Sequence, residues 1–349
     1  MIPALKFNHD NRPAESPAGI TPAPGAGSPG RSGMHIAKRM APWLVGVAIV
    51  AYLVWRIELT PLMNALAHSD VALYLPALTV FILVNFLADS QNLNSLLRHT
   101  GSAIPFRDSV IIRGSSYLLM IIDYTLGMGS IVYYLKKYKN VPITQGTGAM
   151  LFLNYITHIT LLIMAIAGCL MASAAGNLSA QLWNIALTAT IFLALAIITI
   201  IVMKLLPDRS FMKKIKQSVV WKVFIDSPFK AYLMCTLYRC AFYSTFILFF
   251  YVAVRAFNMD IPLAELVAFV PVILLVISIP ISAFGLGTSQ AAMLLLFNNY
   301  GSPAQILAFS LTYSVSIIIF RGIIGACYYG IITSRVSSKY KASLLRGEV

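Results

Sequence analysis

Four ionisable side chains stand where the surrounding residues are almost wholly apolar: Asp123, His158, Arg239 and Arg321. Arg239 lies in LMCTLYRCAFYSTF, Arg321 in SIIIFRGIIGACYY and His158 in LNYITHITLL, while Asp123 opens DYTLGMGS. Ionisable groups in such runs are costly to bury, so each is a candidate for function. The chemistry on offer is anion binding. A guanidinium presents a planar fork that meets a phosphate with two charge-assisted hydrogen bonds. Arg239 and Arg321, with His158, can therefore receive a phosphate or another anionic headgroup. Asp123 can serve as counter-ion or proton carrier, and Ser289 and Gln290 can line the same cavity. Each has a structural alternative. The arginines can pair with Asp123 or with freed carbonyls, or reach an interface by snorkelling; His158 can be a satisfied interior histidine, and Ser289 a helix cap.

Catalytic signatures are missing from the chain. It carries no D-x-x-D metal pair, H-E-x-x-H, G-x-S-x-G or P-loop. The five histidines (His9, His35, His68, His99 and His158) are scattered, and Cys169, Cys235, Cys240 and Cys327 fall in apolar spans without metal-ligand spacing. The expectation is a non-enzyme with no metal and no cofactor.

The elements that must position these side chains are membrane helices. Hydrophobic residues make up 58% of the 349, charged residues 11%, and the mean hydropathy is +0.78. A soluble domain has about 25% charged residues, so the chain is read as all-α and polytopic. The net charge of +14 sits mostly between the apolar runs, as in cytoplasmic loops facing anionic lipid, and no nucleic-acid-binding motif accompanies it.

Residues 1–40 begin with a Pro-, Ala-, Gly- and Ser-rich stretch and read as a disordered cytoplasmic tail. Its length before the first apolar run, 41–55, argues against a cleaved signal peptide. Further spans are expected at about 71–88, 146–172, 183–206, 231–256 and 303–333, with a basic cytoplasmic tail at 334–349. Basic residues place the loops at 89–108, 136–139 and 207–230 inside, and those near 57–70, 173–182 and 256–262 outside. The stretch 207–230 fits an interfacial helix as well as a plain basic loop. Segment 109–135 must then enter and leave from the inside, and 263–300 from the outside. Each is expected to be a hairpin, re-entrant or of two tightly paired helices, with bends at Gly127/Gly129 and at Gly285/Gly287 after Pro280.

The two hairpins resemble each other. Gly127-Met128-Gly129-Ser130 aligns with Gly285-Leu286-Gly287-Thr288, and each hairpin is followed by a proline, Pro142 or Pro303, and a long span. The chain divides into halves 41–172 and 183–333, each reading span, span, hairpin, span, with opposite topology. Inverted repeats with broken helices are characteristic of transporters that bind substrate near the midplane. The simpler alternative is that small residues only allow close helix packing.

The stretch 279–297, IPISAFGLGTSQAAMLLLF, resembles the lysylphosphatidylglycerol synthase transmembrane-domain family, also described as flippase-like. Pro280, Ser282, Gly285, Gly287 and Thr288 match its signature, and the segment at 124–138 looks like its first hairpin. Gln290 stands where that family has an acidic residue, and Ser130 and Ile131 replace its acidic and arginine pair. The resemblance implies the membrane module alone, translocating a phospholipid or related amphiphile across a bacterial inner membrane. Two other functions are carried beside it: a non-transporting partner that presents lipid to a biosynthetic enzyme, and a membrane enzyme acting on lipid-linked substrates.

Overall fold

Long apolar runs leave the backbone one economical solution in lipid, the helix, because every N–H and C=O must find a partner within the segment. The computed structural model describes residues 44, 47–56, 59–99, 103–122, 124–176, 179–205, 224–225, 227–279 and 285–345. Among the described residues there are eleven helices of appreciable length and no strand. They are α1 (Val47–Arg56), α2 (Leu59–Ala67), α3 (Val71–His99), α4 (Phe106–Ile122), α5 (Tyr124–Lys139) and α6 (Ile143–Ala174). These are followed by α7 (Ala180–Leu205), α8 (Phe229–Ala256), α9 (Leu263–Ser278), α10 (Thr288–Leu296) and α11 (Pro303–Leu345). Five of them, α3, α6, α7, α8 and α11, are long and apolar enough to cross a membrane, and α9 is a shorter apolar helix.

Several expected boundaries move. Residues 89–99 are helix, not loop: α3 carries on through Asp89, Ser90, Asn92, Asn94 and Ser95, all buried. Polar residues lower the apparent hydropathy there, but the Ser90, Asn92 and Asn94 side-chain donors find carbonyl acceptors inside the fold. Asn94 Nδ2, for example, donates to the Ile104 carbonyl at 2.7 Å and to Ser109 Oγ at 3.1 Å. The outer loop expected at 57–70 is largely α2, and Asp70 Oδ1 caps α3 by accepting the Leu73 N–H at 2.9 Å. The tail expected after 333 continues α11 to Leu345. Residues 1–40 and 207–223 lie outside the described residues.

The first bend is also corrected. α5 is helical from Tyr124, so Gly127 and Gly129 lie inside a helix. Gly127 acts by packing: a Cβ there would stand 2.0 Å from Met120 Cγ, so its absence lets α5 lie close against α4. Around Gly129 the space is open. Gly285 and Gly287, just before α10, have φ of +68° and +86°, a backbone region that L side chains occupy only with strain.

Helix pairing is reciprocal between the halves. α4 packs along α11, α9 packs along α6, and α3 packs along α8. Both of the first two crossings use a glycine: Gly168 of α6 against the backbone of Val267 and Ala268, and Gly325 of α11 against Leu118. α7 contacts mainly α6 and leaves Leu187, Ile191, Leu195 and Ile198 about half exposed, as expected of a lipid-facing helix.

Candidate functional site

Among the described residues, the largest concentration of buried charge lies where α3, α4, α8 and α11 come near one another, between the first and second halves of the chain. Asp89 of α3 is at its centre, 4% exposed. Its Oδ2 accepts from Arg113 Nε of α4 at 2.5 Å and from the Tyr117 hydroxyl at 3.1 Å. Its Oδ1 has no hydrogen-bond partner and faces Arg239 Nη1 of α8 at 3.5 Å. Arg239 is 5% exposed, its Nε lacks a partner, and its guanidinium lies 5.2 Å from the Phe242 ring centre. Arg321 of α11 is half-buried, with its guanidinium 5.5 Å from the Tyr117 ring centre.

Depth follows from helix geometry. At 1.5 Å per residue, Arg239 lies about 15 Å into α8, and Asp89 and Arg321 each about 27 Å along their helices. Beside the cluster is a cavity of about 20 Å³, room for a single water, lined in part by Asn85, Tyr117, Phe246 and Arg321. Asn85 Nδ2 is held by Thr245 Oγ1 at 3.1 Å. Arg113 and Arg239 share the Asp89 carboxylate, and Arg321 stands beside Tyr117, so among the described residues three guanidinium groups accompany one carboxylate here.

The sequence-based candidates are thereby sorted. Arg239 faces Asp89, and Arg321 stands over the ring of Tyr117, whose hydroxyl donates to the same carboxylate. His158 does not join them; its Nδ1 is 2.8 Å from the Asn154 carbonyl and its Nε2 3.1 Å from Ser278 Oγ, at the end of α9. Gln290 is fully buried against α11. Its Oε1 accepts the Gly287 N–H at 2.6 Å, and its Nε2 donates to Ser314 Oγ at 2.9 Å. Ser289 donates to the Gly285 carbonyl at 2.7 Å and is not the cap; Gln290 closes that turn. Asp123 and Pro280 lie outside the described residues.

Gly287→Ala is expected to destabilise the fold by about 1–2 kcal/mol, because the new Cβ must adopt a left-handed backbone. Gly129→Ala, at a helical site facing open space, should be neutral or slightly stabilising. Unfolding temperatures of the two variants in detergent would measure the contrast.

Asp89 is missing from the sequence-based candidates because 89–108 reads as a loop, and Arg113 and Tyr117, in 109–135, are missed because their carboxylate partner lies in that stretch. A second missed feature was legible. Ile104-Pro105-x-x-Asp108-x-Val110 recurs as Ile261-Pro262-x-x-Glu265-x-Val267, a constant 157 residues on. In each, the proline carbonyl accepts the N–H of the acidic residue, at 3.0 Å for Asp108 and 3.1 Å for Glu265. Each acid then ties the start of its helix to a tyrosine about thirty residues further on. Asp108 accepts from the Tyr138 hydroxyl at 3.0 Å and pairs with Lys139, while Glu265 accepts from the Tyr300 hydroxyl.

Fold and site together define a multi-pass helical membrane protein with an arginine-rich centre buried between two sets of helices. The family model described as the lysylphosphatidylglycerol synthase TM region matches residues 43–325. The chain belongs to that family. No curated protein matches it.

Proposed function

We infer that this protein moves a lipid with an anionic headgroup across the bilayer, binding that headgroup at Arg239 and Arg321 in the seam between its halves. The observation that carries the reading is that, among the described residues, the cluster holds three guanidinium groups, Arg113, Arg239 and Arg321, and one carboxylate, Asp89. A buried cation without a counter-charge is expensive, and a headgroup phosphate would supply the missing anion with bidentate geometry. Reciprocal pairing of α4 with α11 and of α9 with α6, together with the recurring Ile-Pro-x-x-acid motif, supports two inverted repeats. In that architecture the hairpins α4–α5 and α9–α10 enter from opposite faces, and a site at the repeat interface can open to either side. Basic residues flanking the spans favour cytoplasmic termini in a bacterial inner membrane. The chain acts here as a carrier, not an enzyme.

Movement of labelled anionic lipid in proteoliposomes tests this. Arg239→Gln and Arg321→Gln are each expected to lower the rate at least tenfold while leaving the protein folded. Variants that flip anionic lipid as fast as the parent would sink the assignment of the site. Lipid binding by the parent without movement would favour a partner that presents lipid to a separate biosynthetic enzyme.

A further inference from the structure

Resting on that reading, we propose that Asp89 is a built-in competing anion, occupying the headgroup's place beside Arg239 and limiting how tightly a phosphate-bearing lipid is held. The geometry is specific. The two carboxylate oxygens are treated differently: Oδ2 is gripped by Arg113 and Tyr117, whereas Oδ1 has no hydrogen bond and points at Arg239 from 3.5 Å. That separation is too long for a hydrogen bond and short enough for strong attraction. Arg239 in turn keeps its Nε unpaired though it is 5% exposed. A buried carboxylate oxygen thus stands unbonded beside a buried guanidinium whose Nε is also unbonded, an arrangement that costs stability. It is explained if a ligand oxygen completes Arg239 when the site is loaded.

The functional logic is that of any carrier: binding must be favourable enough to load and weak enough to release. Arg113, already committed to Asp89, positions the carboxylate. Arg239 and Arg321 remain for the ligand. Asp89 repels the arriving phosphate and competes for Arg239, so the affinity is lower than two free guanidinium groups would give.

Charge and reach can be varied separately on the full-length protein in nanodiscs of zwitterionic lipid, with fluorescent phosphatidylglycerol as probe. Asp89→Asn keeps an oxygen for Arg113 and removes the competing charge; it is expected to bind at least tenfold tighter and to move lipid more slowly. Asp89→Glu keeps the charge on a longer arm that reaches Arg239, and should bind several-fold weaker than the parent. A merely structural Asp89 would weaken binding in both. Asn binding no tighter than the parent overturns the proposal, as does Glu binding equally or more tightly, which keeps the test alive if the Asn variant does not fold. Binding that survives Arg239→Gln in the parent overturns the arginine site itself. In a parallel arm, inorganic phosphate binding with the same variant pattern while the lipid probe binds nowhere would assign the site to a free anion and overturn the lipid reading.

Discussion

Asp89→Ala is expected to remove about 3–5 kcal/mol of stability, the usual cost of breaking a buried ion pair from one side. Three arginines, Arg113, Arg239 and Arg321, would then share the seam with no carboxylate among the described residues. The Tyr117 hydroxyl would lose its acceptor as well. Asp89→Asn should cost markedly less, since the amide oxygen can still accept from Arg113. Chemical or thermal unfolding in detergent, followed by tryptophan fluorescence, reads the difference. Equal losses for Ala and Asn would mean that shape and hydrogen bonding, not charge, hold the four helices together.

The second large effect is steric. A Cβ added at Gly168 would lie 2.2 Å from the Ala268 backbone nitrogen, and one at Gly325 would lie 2.6 Å from the Leu118 nitrogen. Backbone cannot yield as a flexible side-chain tip does, so α6 and α9, or α11 and α4, would have to separate. Gly168→Ala is therefore expected to cost about 3 kcal/mol or more, with Gly325→Ala close behind. Gly330→Ala on the same face-rich helix α11 meets nothing within 4 Å and should leave stability unchanged. Folded yield by size-exclusion profile, with unfolding temperature, ranks the three. An intact, equally stable Gly168→Ala would show that this crossing is not as close as the structure has it.

Neither Asp89 nor the glycine crossings could be read from the chain, whereas other features could. Arg239 and Arg321 were legible because a charge inside an apolar run is conspicuous whatever surrounds it. Gly285 and Gly287 were legible because paired glycines between apolar segments signal unusual backbone angles. Gly127 and Gly129 carry the same signal and are helical, since a glycine pair also serves close packing and only the neighbouring helix decides between the two. Asp89 was hidden for the opposite reason to the arginines. It sits in LADSQNLNSLLRH, a polar stretch whose composition reads as a loop, and only Arg113, Tyr117 and Ser109 on the facing helix make it an interior surface.

By itself, then, the sequence determined that this protein is helical and membrane-embedded, that it breaks near two glycine-bearing segments, and that arginines lie within its spans. Hydropathy and residue type are local properties and need no fold to be read. The tertiary structure decided which helices face one another, that Asp89 stands between Arg113 and Arg239 with Arg321 over Tyr117, and that His158 bonds to Ser278 of α9 and Gln290 to Ser314 of α11 instead of to that centre. Those outcomes depend on pairing across more than a hundred residues, as between Asp89 and Arg239, and such pairing is settled only when the helices pack.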